Sequence, residues 1–197
     1  MANRIGAIDV RHESAEGRRL ATNPGCKLPA PPEPLQASFT ILGIDPGLDR
    51  TGYAIIESAS HRVLDAGLVR SSAKSALPER LREIEIGLDE ILSEHRIDLM
   101  AVEELYAHYK HPRTAILMGH ARGVILLAAA RRRIDLVSLS ATHIKRTLTG
   151  NGHAGKLQMQ RAMIATLKLK VMPDPPDVAD ALAAAWCAAV TRMSGRH

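Results

Sequence analysis

Asp45, Glu103, Asp177 and Asp180 are the side chains of this 197-residue chain whose types and placement could do chemistry together. Asp45 follows the apolar run Ile41, Leu42, Ile44 and precedes Pro46-Gly47, so it stands where a buried strand ends in an abrupt turn. Sites gather at such strand ends in open α/β sheets, but turns also favour Asp for its own hydrogen bonding. Glu103 comes near the end of a second apolar segment, IDLMAVEEL. Asp177 and Asp180 are spaced i, i+3 behind Pro175-Pro176, where a helix begins, so both can point from one face. Taken alone, that pair serves equally well as helix capping, with Asp177 as N-cap and Asp180 in the first turn. Taken as four, acids converging from different elements suit Mg²⁺, which prefers hard oxygen ligands and keeps several waters. Two such ions are the means of hydrolysing a phosphodiester.

The charge distribution points to the same substrate class. The net charge is +5 and the isoelectric point about 9.5. From Lys110 to Lys170 twelve lysines and arginines face one acid, Asp135. A solvated helix face normally mixes signs, so a span this one-sided favours a polyanion.

The elements that must position these groups follow from periodicity. Thr51 to Ser58 and Arg62 to Arg70 read as two strands after the first, giving an antiparallel meander. Leu77 to Arg96 reads as a helix with Pro78 in its first turn and Leu81, Ile84, Leu88, Ile91 and Leu92 on one stripe; Gly87 inside it predicts close packing on the sheet. A fourth strand over Ile97 to Leu105, a helix from Pro112 to Arg133 and a fifth strand over Ile134 to Ser140 come next. The remainder is helical, broken at Gly150-Asn151-Gly152 and at Pro173, Pro175 and Pro176. That order predicts an α/β domain over 39–193: a ribonuclease H-like mixed five-stranded sheet with helices on both faces. If the strands carrying Asp45 and Glu103 are neighbours, they lie only about 4.8 Å apart and their acids can share an ion.

Residues 1–38 hold five of the eleven prolines and no sustained apolar period, which predicts a disordered Pro-rich extension; 194–197 reads as a short tail. Cys26 and Cys187 have no metal or redox spacing and fit a reducing cytoplasm. No uninterrupted apolar run of about 18 residues stands out, so no membrane association is expected.

With these residues in place, the chain resembles the RuvC family of Holliday junction resolvases from Thr40 to about Val190. The segments ILGIDPGLDRTGYAII, AVEELY, MGHARGVILLAAA, SATHIKRTLTGNGHAGKLQMQ and DVADALAAA carry the resemblance. It implies a homodimer that nicks a four-way DNA junction symmetrically, with two Mg²⁺ ions per subunit (Mn²⁺ as a substitute), beside the RuvA–RuvB branch-migration complex. The family's metal-binding acids fall on Asp45, Glu103, Asp177 and Asp180. Its basic residues near the cleaved backbone fall on Lys145 and Lys156, the latter counted as catalytic. Tyr106 falls on an aromatic that meets unstacked bases; read on its own it would serve as well as a core plug. Lys110, Arg113, Arg122 and Arg146 complete the expected DNA-binding set. HYKHPRT after Tyr106 is longer than the family pattern, and the resemblance assigns no role to His153. Two other readings compete: a non-catalytic binder of branched DNA, and a YqgF-type nuclease of the same fold acting on RNA. A non-catalytic binder would have lost one of the four acids, and none is missing.

Overall fold

The computed structural model describes residues 2–4, 38–105 and 112–194. Its strands are β1 (Ala2–Arg4), β2 (Thr40–Asp45), β3 (Arg50–Glu57), β4 (Val63–Arg70), β5 (Leu99–Glu103) and β6 (Asp135–Leu139). Its helices are α1 (Leu77–Glu94), α2 (Pro112–Arg131), α3 (Ala141–Thr149), α4 (Lys156–Leu167) and α5 (Pro176–Ser194). One sheet runs in the order β1-β4-β3-β2-β5-β6. The expected meander β2-β3-β4 is antiparallel, and β5 and β6 add in parallel beside β2. The five expected strands and the mixed sheet are therefore present.

The extension differs from its expected lack of structure at one point. Ala2–Arg4 pairs antiparallel with the outer edge of β4 as a sixth strand. A sheet edge offers unpaired N–H and C=O groups to any extended backbone, and this pairing needs no side-chain period that a sequence could display.

Alternation along the strands sorts side chains into two cores. Ile41, Leu99 and Ala101 face α3, α4 and α5, whereas Leu42, Ile44, Met100 and Val102 face α1 and α2. The stripe predicted for α1 holds: Ile84, Leu88 and Ile91 are fully buried, and a Cβ on Gly87 would come 2.6 Å from Val69 Cγ1. α5 is buried all round from Ala181 to Ala189, as a helix of Ala, Leu, Trp and Cys without a polar face must be.

Among the described residues one helix is long and apolar enough by composition to cross a bilayer: Arg113–Arg131 of α2 reaches a mean hydropathy of 1.2, although Arg113, His120 and Arg122 interrupt it. It buries one side as a core helix does: Ala121 and Ile125 are inaccessible against the sheet and α1. Leu117, Val124 and Ala128, partly buried, pack on this same core. Ile116 and Leu127, on its other side, stay 61 % and 55 % exposed.

Candidate active site

The parallel pairing of β2 with β5 starts at their far ends, where Thr40 N–H donates to Asp98 Oδ2 at 2.9 Å and Asp98 N–H donates to the Thr40 carbonyl at 2.9 Å. From there the register runs Ile41 with Leu99 to Ile44 with Val102, which delivers Asp45 and Glu103 side by side at the carboxyl ends. Both continue the rows facing α5, Asp45 that of Ile41 and Gly43, Glu103 that of Leu99 and Ala101. The turn after Asp45 is tied down by Thr51, a fully buried residue whose hydroxyl donates to the Gly47 carbonyl at 2.7 Å.

The other two acids arrive on α5. The helix starts at Pro176, so Asp177 belongs to its first turn rather than to the N-cap. Two glycines let it lie directly on the sheet. A Cβ on Gly43 would overlap the Ala181 carbonyl oxygen and come 2.6 Å from Ala185 N; one on Gly52 would overlap the Asp177 carbonyl. Gly52 is the register partner of Asp45 across β2 and β3, so Asp177 is set down beside Asp45 by backbone contact. Neither glycine was singled out from sequence. The available signal was an isolated Gly within a strand, which marks close approach of another backbone.

Crowding shows in the protonation of the cluster. Burial first, then Glu103, Asp180 and Asp177, push the Asp45 carboxyl from 3.8 up to about 8. Glu103 is raised by burial and by Asp180, with Lys145 pulling the other way. Asp180 reaches the cavity mouth and is solvent-exposed, yet the surrounding protein and then Asp177 still raise it, against Lys156 and Lys145. The lysines offset only part of this elevation, and a divalent cation supplies the further positive charge that such a carboxylate cluster accommodates. Asp177 Oδ2 is buried without a hydrogen bond. The donor set, all hard oxygens, fits Mg²⁺. Among the described residues no three His, Cys, Asp or Glu side chains form a ready-made cage; Mg²⁺ usually takes one or two carboxylates and fills its octahedron with water and substrate oxygens.

Glu103, Asp180, Lys145 and Lys156 line one cavity of about 510 Å³. Lys145 comes from α3, whose N-cap Ser140 hydroxyl accepts from His143 N–H, and Lys156 is the first residue of α4. The remaining expected contacts stand elsewhere. Arg146 is exposed on α3 and Arg113 is exposed at the start of α2; Arg122 donates to Ser138 Oγ at 2.6 Å, on β6, and does not line the cavity. Tyr106 and Lys110 lie outside the described residues. His153 is exposed and points to no partner in the cluster; its backbone N–H donates to Asn151 Oδ1.

A family model described as crossover junction endodeoxyribonuclease RuvC matches residues 41–188, a span that holds all four acids and both cavity lysines. The chain belongs to the RuvC family. With membership comes the activity: this is a metal-dependent endodeoxyribonuclease that resolves crossover junctions. The chain is 52 % identical over 149 residues to the RuvC of Rhodopirellula baltica, covering 75 % of this chain and 84 % of that one. It is also similar to the structure of Thermus thermophilus RuvC in complex with a Holliday junction substrate, at a TM-score of 0.72 and 29 % identity over 79 % of this chain and 96 % of that one. The yeast mitochondrial Holliday junction resolvase Ydc2, 15 % identical with a TM-score of 0.56 over 83 % and 84 %, shares the fold. The readings as a non-catalytic binder or an RNA-directed relative are not favoured.

Proposed function

We propose that this RuvC-family protein resolves four-way junctions by two-metal hydrolysis, with Asp45, Glu103, Asp177 and Asp180 holding two Mg²⁺ ions in each subunit of a homodimer. The observation that carries this reading is the gathering of four carboxylates from β2, β5 and α5, where burial and neighbouring acids raise Asp45, Glu103 and Asp180 and one Asp177 oxygen is left without a hydrogen bond, a cluster that nearby basic side chains offset only in part. Bound there, the ions would supply the activated water and the charge that stabilises the leaving 3′ oxygen, leaving 5′-phosphate and 3′-hydroxyl ends. Mn²⁺, with similar ligand preference, would substitute.

The protein's own part is to hold and orient. The β2–β5 register and the Gly43 and Gly52 contacts fix the acids before DNA arrives, so little reorganisation remains for the reaction. Lys145 and Lys156 border the cavity and oppose the acids, which suits their ammonium groups to offset charge growing on the phosphate. The N-terminus of α4 adds the positive end of its dipole beside Lys156. Lys156→Ala is expected to slow nicking by about 10²-fold, the scale of one lost electrostatic contact to the transition state, with little change in junction affinity. Single-turnover nicking beside a gel-shift titration measures both. Equal losses in the two would reassign Lys156 to binding alone.

Paired nicks need two sites related by a two-fold axis. The uncovered side of α2, where Ile116, Gly119, His120, Gly123 and Leu127 line one concavity, is the surface that fits a second copy of the chain. Beyond the helix's own adjoining backbone, nothing among the described residues lies within 4 Å of where Cβ atoms on Gly119 and Gly123 would stand, so a partner helix can approach closely there. Leu127→Glu places a charge in that face and is expected to give a folded monomer by sedimentation velocity, with junction resolution lost; a dimer of unchanged affinity would exclude this surface. Arg113 and Arg146, both exposed, would add backbone-phosphate contacts, as would Lys110; Arg122 would do so only by leaving Ser138. Tyr106 would stack on an unpaired base, and RuvA–RuvB would deliver the junction in the cytoplasm. The deciding experiment is a product map on a synthetic four-way junction with Mg²⁺. Symmetric, religatable nicks in two strands of like polarity support the proposal, and cuts confined to one strand or absent with Mg²⁺ reject it.

A further inference from the structure

We propose that Arg50 is a displaceable counter-ion of the metal site: its guanidinium neutralises Asp177 in the metal-free protein and must swing away before a divalent cation can take that carboxylate. The inference rests on the reading of the four acids as metal ligands and adds a competitor to it.

Three observations converge on Arg50. It opens β3, two residues before Gly52, and Gly52 lies against the Asp177 carbonyl, so the backbone contact that seats α5 also seats Asp177 beside the start of β3. Arg50 Nε stands 3.5 Å from Asp177 Oδ2, and that same oxygen is buried without a hydrogen bond. The pair is thus held by charge, with the acceptor still unsatisfied and open to a better-fitting cation. Finally, the Arg50 side chain is 49 % exposed against 22 % for Asp177. One partner is fixed by the fold and the other is free to leave.

Space for departure is present. Arg50 and Asp177 both line a cleft of about 780 Å³, together with Leu48, Arg70, Arg80 and Thr114. Arg80 is committed to Asp49 by an ion pair, whereas Arg70 is exposed and is the cross-strand register partner of Arg50. Lys145 and Lys156 act on Glu103 and Asp180 from the cavity on the other side, so Arg50 is the cation specific to Asp177. A guanidinium and a metal ion cannot share one carboxylate oxygen without repelling each other. A divalent ion reaches several acids at once and therefore prevails, but it does so against the lost ion pair.

The consequence is a direction that a merely structural arginine would not produce: removing Arg50 strengthens metal binding. A half-exposed ion pair of this kind corresponds to about a two- to five-fold change in affinity. The test is calorimetric titration of MnCl₂ into the metal-free full-length protein, without DNA, at one pH and ionic strength, for wild type, Arg50→Gln, Arg50→Lys and Asp45→Asn. The expected result is two- to five-fold tighter binding for Arg50→Gln, wild-type binding for Arg50→Lys, weaker binding for Asp45→Asn, and a narrowing of the Arg50→Gln gain as NaCl is added. Arg50 is exposed at a strand end, so both substitutions leave folding intact. Binding by Arg50→Gln equal to or weaker than wild type overturns the counter-ion role while leaving the metal site standing. No heat of binding with wild type as well as Asp45→Asn would overturn the metal-site reading itself.

Discussion

Asp45→Asn is expected to abolish junction nicking, by about 10³-fold or more, while raising the thermal stability of the metal-free protein. The loss follows from the position of Asp45: it is the acid on which Glu103, Asp177 and Asp180 all act, and removing its charge takes away on the order of 4 kcal/mol of stabilisation at the reacting phosphate, some three orders of magnitude in rate. The gain in stability has the same origin. In the unfolded chain this carboxyl ionises near 3.8; in the folded, metal-free protein it keeps its proton up to about pH 8. The folded state therefore holds the extra proton between those values, and stability falls as pH rises from about 4 to about 8. Glu103 and Asp180, also raised, contribute in the same direction. Asparagine cannot ionise, so the variant escapes that penalty at Asp45. Thermal melts with EDTA are expected to show the variant several degrees more stable than wild type near pH 8 and close to it near pH 4, with Mg²⁺ closing the gap at the upper end. Nicking by the variant at the wild-type rate, or a gap that shrinks as pH rises, would mean that these carboxylates do not form the site.

Gly52→Ala is the second large effect, and it acts through backbone rather than chemistry. The added methyl would overlap the Asp177 carbonyl, so either β3 or the first turn of α5 must move. Overpacking of this kind costs about 1–3 kcal/mol, which for a domain of this size lowers Tm by roughly 3–12 °C. The effect on catalysis exceeds that on stability, because a shift of about 1 Å in a reacting group can cost 10²-fold. Asp177 and Asp180 ride on the displaced turn, whereas Asp45 and Glu103 stay on the sheet. Single-turnover nicking measured well below the lowered Tm separates the two consequences. Wild-type nicking together with a wild-type Tm would show that the helix is not seated on Gly52. Gly43→Ala makes a useful comparison: the overlap there is with the Ala181 carbonyl, further into α5, where the helix is buried on every side and has less room to lift.

Much of this molecule is legible without coordinates. The meander, the two later strands and the long helices follow from alternating and 3.6-residue patterns. Gly87 could be read as a packing glycine because a stripe of Ile and Leu on the same helix already named the buried face. The four acids could be picked out because Asp45 and Glu103 end apolar strands, where a charge needs a reason, and Asp177 and Asp180 share one face of a helix start. Less legible were features that no periodicity encodes. Ala2–Arg4 joins the sheet by main-chain bonding, indifferent to its side chains. α2 has one apolar side for its own core and another left open, and composition alone does not divide them. Arg122 looked like one more phosphate contact in a basic span, but the fold ties it to Ser138.

The sequence by itself determined which groups are present and which way each can face: Ile41, Gly43 and Asp45 alternate with Leu42 and Ile44 because a strand repeats every two residues. Only the tertiary structure decided that these faces meet. The Ile44–Val102 register puts Glu103 beside Asp45, and two absent side chains, at Gly43 and Gly52, let α5 lie on the sheet closely enough for Asp177 and Asp180 to join them. The elevation of Asp45 and the pairing of Arg50 with Asp177 are properties of those separations. Coulombic coupling and desolvation depend on distance and burial, which neighbours in space set and neighbours in sequence do not.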